Sequence, residues 1–193
     1  MSLWSSLGAS NHSAYERAAH DFYATDPATV HQLLDRETFA PNILEPCCGA
    51  GHIAQVLKSR GYRVVAEDLY DYGYGASGID FLKTTQPFNG DIITNPPFKF
   101  ATEFILHALE LVPLYHRVAM FLRIQFLESA DRYSRLWQLG NLERVYVASK
   151  RAQCARNGDF SNLNSSAACY AWFIWRKGFK GEPSIRWFNT PSA

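Results

Sequence analysis

The 193-residue chain is poor in the features that would fix its class at once. It has four cysteines and six histidines, and no CxxC pair or Cys/His cluster gathers them, so no metal site is expected. Cys47 and Cys48 are neighbours that cannot easily bridge each other. With Cys154 and Cys169 they read as reduced thiols of a cytoplasmic protein. No apolar run approaches the roughly 18 residues a membrane span needs. No basic-then-apolar leader opens the chain, so neither a membrane partner nor a secretory signal is expected. Charged residues make up only 19% and the net charge is +1, which gives no global basic field to draw in a polyanion. Repeats, low-complexity tracts and linkers are also missing. The expected organisation is an N-terminal arm over 1–20 and one domain over 21–193.

What is present is apolar and aromatic. At 47% hydrophobic and 15% aromatic residues, the chain has enough apolar surface to offset its conformational entropy, which excludes disorder. Charge is unevenly spread: residues 1–99 carry 7 basic and 11 acidic side chains, residues 150–193 carry 7 and 2. A basic C-terminal quarter fits either a polyanionic partner on one face or a solvated surface.

The periodicity predicts helices over 27–38, 51–60, 100–111 and 129–139, and strands over 42–46, 63–66, 91–94 and 118–124. Two more strand-like runs, 144–148 and 170–175, have no helix signal between them and are expected to pair antiparallel. Strand and helix alternate up to that point, which argues for a parallel α/β sheet with a final hairpin.

Two motifs carry chemistry. The first runs Ile43-Leu44-Glu45-Pro46-Cys47-Cys48-Gly49-Ala50-Gly51-His52-Ile53-Ala54, out of a strand and into a helix. Gly49, Gly51 and Ala54 keep a relaxed G-x-G-x-x-A spacing, in which glycines let backbone approach a ligand and the helix N-terminus offers free N–H groups. Asp68, 17 residues after Gly51, ends the next strand and is placed to hold two ribose hydroxyls. This pattern alone fits a nicotinamide dinucleotide, S-adenosylmethionine or a plain tight turn. Two details favour S-adenosylmethionine. Glu45-Pro46 puts a carboxylate before the glycines, suited to an α-amino group. Asp80-Phe81, at the expected tip of a third strand, offers an acceptor for an adenine amino group and an aromatic for its face.

The second motif is Asn95-Pro96-Pro97-Phe98. A planar amino nitrogen is a poor nucleophile because its lone pair is delocalised. The Asn95 side-chain oxygen and the Pro96 carbonyl can both accept from that NH2, drawing the nitrogen towards sp³, while Phe98 stacks on the ring. The prolines fix the backbone that aims both acceptors.

Together these motifs resemble those of class I S-adenosylmethionine-dependent methyltransferases of the amino-methylating kind. The chain is most similar to small phage- or prophage-type DNA N6-adenine methyltransferases. The resemblance spans about 20–175, and the order of its motifs, with Asp21-Phe22-Tyr23-Ala24-Thr25-Asp26-Pro27 before the glycines, is similar to the γ arrangement. It implies a Rossmann-like α/β fold: a mostly parallel seven-stranded sheet with a C-terminal antiparallel hairpin and helices on both faces. It implies S-adenosyl-L-methionine as cofactor, with Tyr23 and Thr25 at its methionine part. Glu45, Pro46, Cys47, Gly49 and Gly51 would lie along its amino-acid and sugar side, Asp68 and Leu69 at the ribose, and Asp80 and Phe81 at the adenine. Asn95, Pro96, Pro97 and Phe98 would hold the target base, Asn95 also bordering the cofactor.

The chain departs from the pattern where Cys47 and Cys48 replace smaller or acidic residues, and where Glu67 stands beside Asp68 as a second acid. Only 95 residues follow Phe98, so no separate target-recognition domain is expected. Substrate contacts then fall to loops, or specificity to a protein partner. The stretch 149–166 offers Lys150, Arg151 and Arg156 for phosphates. Phe160 in that stretch reads either as a stacking partner for the base or as a core contact. The glycine-rich run 70–78 reads as a cofactor lid or a long connection, and the tryptophans as core and hairpin packing. The expected partner is nucleic acid, DNA before RNA. RNA adenine-N6 or guanine-N2 methylation, protein glutamine-N5 methylation, a catalytically silent cofactor-binding subunit and, last, a nicotinamide-dependent oxidoreductase are the competing readings.

Overall fold

Four short apolar segments set the centre of the molecule: Asn42–Glu45 (β2), Arg63–Ala66 (β3), Asp91–Thr94 (β4) and Arg117–Arg123 (β5). The computed structural model describes residues 23–149, 154–156 and 168–188. β2 pairs in parallel with β3 on one side and β4 on the other, and β4 pairs in parallel with β5. Tyr170–Arg176 (β8) then inserts antiparallel between β5 and Leu142–Ala148 (β6). The seventh strand, Ser184–Phe188 (β9), lies at the edge parallel to β6, giving the order β3-β2-β4-β5-β8-β6-β9. The expected mostly parallel seven-stranded sheet and the antiparallel pairing of the two late strands are both found.

Period-two alternation explains the helices on both faces. In β5, Val118, Met120 and Leu122 point to one layer, where they meet Phe104, Ile105 and Ala108 of Ala101–Leu111 (α3). Ala119 and Phe121 point to the other, with Val30 and Leu33 of Pro27–Leu34 (α1) and Ile53, Val56 and Leu57 of His52–Ser59 (α2). α1 starts where the sequence says it must: Asp26 accepts from the Ala28 N–H at 2.9 Å and Pro27 occupies the first turn. Trp172 of β8 is fully buried on the same face and donates its indole N–H to the Thr29 carbonyl at 3.2 Å.

Several expectations need correction. No strand ends at Asp80; Asp80 instead caps a single 3₁₀ turn, Phe81–Lys83, accepting from the Leu82 N–H at 3.2 Å. Gly73, Gly75 and Gly78 all have positive φ, and this looped path replaces the third strand. The seventh strand comes instead from β9, so the hairpin is not the end of the sheet. The first helix stops at Leu34, four residues short of Thr38, and the fourth is only Ala130–Arg135 (α4) followed by a 3₁₀ turn. Among the tryptophans, Trp172 and Trp175 are core, but Trp187 of β9 is 65% exposed.

Besides β9, two further strands have no counterpart in the sequence pattern. Tyr23–Thr25 (β1) pairs antiparallel with Cys154–Arg156 (β7), Thr25 opposite Cys154, in a separate two-stranded sheet. Among the described residues, no helix is long and apolar enough to cross a membrane.

Candidate active site

The parallel strands all end on one side, and β2 is flanked there by β3 and β4, which lead away in opposite directions. A crevice opens at such a reversal of strand order. Here it is a cavity of about 540 Å³, into which the carboxyl ends of β2 and β4 and the loops after β3 and β4 project.

Glu45, last residue of β2, lies at its floor. It is 1% exposed, and its Oε2 is buried without a hydrogen-bond partner. Burial pushes the Glu45 carboxyl well above its usual range, opposed by the Ala54 N–H and reinforced by the Asp68 charge. The Thr25 hydroxyl, on the same wall, is likewise buried without a partner.

Asp68 follows β3 and is fixed by backbone. Its Oδ2 accepts from the Gly49 N–H at 2.9 Å and its Oδ1 from the Tyr70 N–H at 3.0 Å. Each oxygen keeps further acceptor capacity. Asp68 and Leu69 line the cavity and Glu67 does not. Asp80 and Phe81 line it as well. Asp80 is engaged by Lys83 at 2.9 Å, and Phe81 packs against Phe104 and His107, both at 5.1 Å.

Gly49 and Gly51 stand behind the wall rather than in it. Gly51, at φ +85°, is required by a neighbour within the protein: a Cβ there would lie 2.6 Å from the Tyr74 ring. Tyr70 and Tyr72 of the same loop line the cavity. Cys47 and Cys48 are both part of the wall, Cys48 with its Sγ 3.4 Å from the Tyr74 carbonyl. Burial and the nearby Glu45 and Asp68 charges hold both thiols neutral, Cys48 being pushed up to about 12.

At the other end of the cavity, Asn95 follows β4 directly. Its Nδ2 donates to the Tyr23 carbonyl of β1 at 2.8 Å and lies 3.9 Å from the Cys154 Sγ of β7. That bond fixes the amide orientation. The Asn95 side-chain oxygen and the Pro96 carbonyl accept no hydrogen bond from any described residue. Pro97 sets the start of a 3₁₀ turn, its carbonyl accepting from the Phe100 N–H at 2.9 Å. The Phe98 ring is half-buried between Tyr23, at 6.1 Å, and Tyr170, at 5.8 Å, with the Arg123 guanidinium 5.2 Å from its centre.

The cavity thus gathers Tyr23, Thr25, Glu45, Pro46, Cys47, Asp68, Leu69, Asp80, Phe81 and all of Asn95-Pro96-Pro97-Phe98. Lys150, Arg151 and Phe160 lie outside the described residues, and Arg156 is placed by its backbone alone, as the last residue of β7. Tyr70 and Tyr72 come from the run expected as a cofactor lid or a long connection, whereas sequence reasoning missed Lys99 and Phe100 in the wall. Lys99 and Phe100 directly follow the Asn-Pro-Pro-Phe motif, a signal that was available.

The fold is that of the class I S-adenosylmethionine-dependent methyltransferases. A protein from Listeria monocytogenes provisionally assigned to that class superposes with a TM-score of 0.57 at 13% identity over 86% of this chain. TrmN from Thermus thermophilus gives 0.52 at 18% identity over 78%, and the type IIG restriction endonuclease BpuSI 0.53 at 16% over 81%. The chain spans 63%, 48% and 25% of these proteins respectively. No protein family and no curated protein matches the chain by sequence.

Proposed function

We propose that the protein is an S-adenosylmethionine-dependent N-methyltransferase acting on the exocyclic N6 amino group of adenine in DNA. The observation that carries this reading is the pair of open acceptors at Asn95 and Pro96. The Asn95 amide has its NH2 committed to Tyr23, so only its oxygen is presented, beside a second carbonyl. Such a pair suits a group that brings two N–H donors.

The cavity fits the cofactor on its own terms. A buried, unpartnered carboxylate oxygen at Glu45 suits an ammonium, and Asp68 keeps lone pairs for vicinal hydroxyls. Tyr23 and Thr25 would border the methionine part, Pro46, Cys47 and Leu69 the sugar side, and Asp80 and Phe81 the adenine. Gly49 and Gly51 support this wall from behind. S-adenosylmethionine, when bound there, supplies an electrophilic methyl group.

The chain's own residues then do three things. The Asn95 side-chain oxygen and the Pro96 carbonyl accept hydrogen bonds from both amino N–H groups and so restore the lone pair of the nitrogen. Phe98 stacks on the base. The walls exclude water and align donor and acceptor, so catalysis rests on positioning and on the two acceptors. A base in a duplex has to leave its stack to reach this depth, at a cost of a few kcal/mol. Lys150, Arg151 and Arg156 provide charge for phosphates, and Phe160 a second aromatic for the base.

The test is methyl transfer from labelled S-adenosylmethionine to unmethylated duplex DNA, single-stranded DNA, total RNA and protein extract, with the product identified by mass spectrometry. N6-methyladenine in DNA is expected. Label in RNA or on glutamine would keep the mechanism and replace the substrate. Cofactor binding without transfer to any of them would reject the reading.

A further inference from the structure

Arg123 is not among the residues that line the cavity. It is the last residue of β5, at the same end of the sheet as Asn95, and it is exposed. In the β5–β8 register it stands directly opposite Tyr170. Its guanidinium lies over the Phe98 ring at 5.2 Å, and that ring packs against Tyr170 at 5.8 Å. Tyr170 in turn stacks on Phe121 at 5.3 Å, so the arginine is braced by a packed aromatic column. Yet no carboxylate among the described residues pairs with it, whereas Arg117, Arg135, Arg144 and Arg176 all have acidic partners. A planar cation held in place by aromatic contacts, and left without an anion, is preorganised to receive one. Guanidinium geometry suits a phosphate through two parallel N–H donors.

We infer that Arg123 is a substrate-positioning residue that binds a backbone phosphate of the nucleic acid beside the target base, with Phe98, packed on Tyr170, fixing its guanidinium. This rests on the polynucleotide substrate proposed above. It gives the acceptor end a fixed register: the same arginine touches the ring that stacks on the base and the strand from which that base comes. Lys99, which lines the cavity and lies over Phe100 at 5.3 Å, adds a second cation without a carboxylate partner among the described residues.

The experiment is fluorescence-anisotropy titration of a labelled mixed-sequence DNA duplex, and of its single strand, with the wild-type protein, Arg123→Gln and Arg123→Lys. Each is run across a salt series with S-adenosylhomocysteine present. Calorimetry of S-adenosylhomocysteine binding runs alongside as a fold control. Arg123→Gln is expected to weaken DNA binding about tenfold. The slope of log affinity against log salt should fall by about 0.9 on duplex, or about 0.7 on a single strand. Arg123→Lys keeps the charge and is expected to keep the slope. With Arg123→Gln, KM for DNA should rise more than kcat falls. Wild-type affinity and slope in Arg123→Gln would overturn the assignment and leave Arg123 as packing for Phe98. Wild-type protein that binds the cofactor product but neither form of DNA would overturn the DNA reading itself, and this inference with it.

Discussion

The two ends of the central sheet treat buried acids in opposite ways. At the end away from the cavity, each faces a cation or an N–H donor, although Glu143 Oε2 makes no hydrogen bond. Asp91, 3% exposed at the start of β4, accepts from the Ala40 N–H at 2.6 Å, from the Arg117 N–H at 2.8 Å, and meets His116 Nδ1 at 2.8 Å. Glu37 is bound by Arg144 and by the Tyr146 hydroxyl, and Glu143 faces Arg176 at 3.3 Å and Arg117 at 3.5 Å. At the cavity end, Glu45 and Asp68 have no ion pair among the described residues, and one Glu45 oxygen has no partner at all. A buried charge without a counter-charge costs stability, and among the described buried acids that cost falls where the strands end in a crevice. The comparison separates acids that hold the fold from acids held ready for something else.

The sharpest way to break that separation is at the acceptor end. Asn95→Ala is expected to reduce methyl transfer about 10²–10³-fold, the magnitude seen when one donor or acceptor aimed at developing charge is lost. Cofactor affinity, read by calorimetry, should stay nearly unchanged. Equal loss of both would make Asn95 a structural residue that anchors β1 through Tyr23. Next in size is the far end. Asp91→Ala strips acceptors from the Ala40 and Arg117 N–H groups, so unfolding in denaturant should show a loss of about 3 kcal/mol. Cofactor affinity measured below the unfolding transition should not move; if it does, the two ends are not independent.

Glu45→Gln sharpens the contrast because its two effects oppose each other. Burial raises the folded-state pKa of Glu45 above the usual carboxylate value, so between the two values the folded state binds more protons than the unfolded. Stability from this group is therefore full at low pH and declines as pH rises through that window. Glutamine removes the decline, so the cofactor-free variant should melt slightly higher at neutral pH. The same change deprives an ammonium of its carboxylate, and cofactor affinity should fall by about 2 kcal/mol. In the wild type, affinity should rise with pH until Glu45 is ionised, and binding below that point should release a proton. A pH-independent affinity would detach Glu45 from the ammonium.

The cavity end was largely legible in the sequence because its residues sit in local patterns. Glu45-Pro46, Asp68, Asp80-Phe81 and Asn95-Pro96-Pro97-Phe98 each follow an apolar run or a turn, and a strand end needs only its own neighbours to be recognised. β2, β4 and β5 are buried on both faces, so they read as unbroken apolar segments. β1 and β7, three residues each, are too short for any period to show, and they pair across more than a hundred residues. β9 was hidden for another reason: Ile185 and Trp187 face solvent and only Phe188 of its five residues is buried, so no apolar period shows. Arg123 was illegible because its position depends on the β5–β8 register, which no local pattern states.

Gly51→Ala gives the smallest effect and the most demanding test of the two-ended division. The glycine belongs to the cavity end by sequence, yet it stands behind the wall, at φ +85° and under the Tyr74 ring. A methyl group there costs about 1–2 kcal/mol for the left-handed backbone alone, and it also displaces Tyr74. Tyr74 belongs to the loop that carries Tyr70 and Tyr72 into the cavity, so a displaced ring disturbs that wall. Stability and cofactor affinity should therefore fall together, unlike at Asp91, where only stability falls, or Glu45, where they move in opposite directions. Adding Tyr74→Ala should recover the part due to collision and leave the backbone part. Cofactor affinity unchanged in Gly51→Ala would show that the loop moves without the wall, and Gly51 would then group with the far end as a residue of the fold alone.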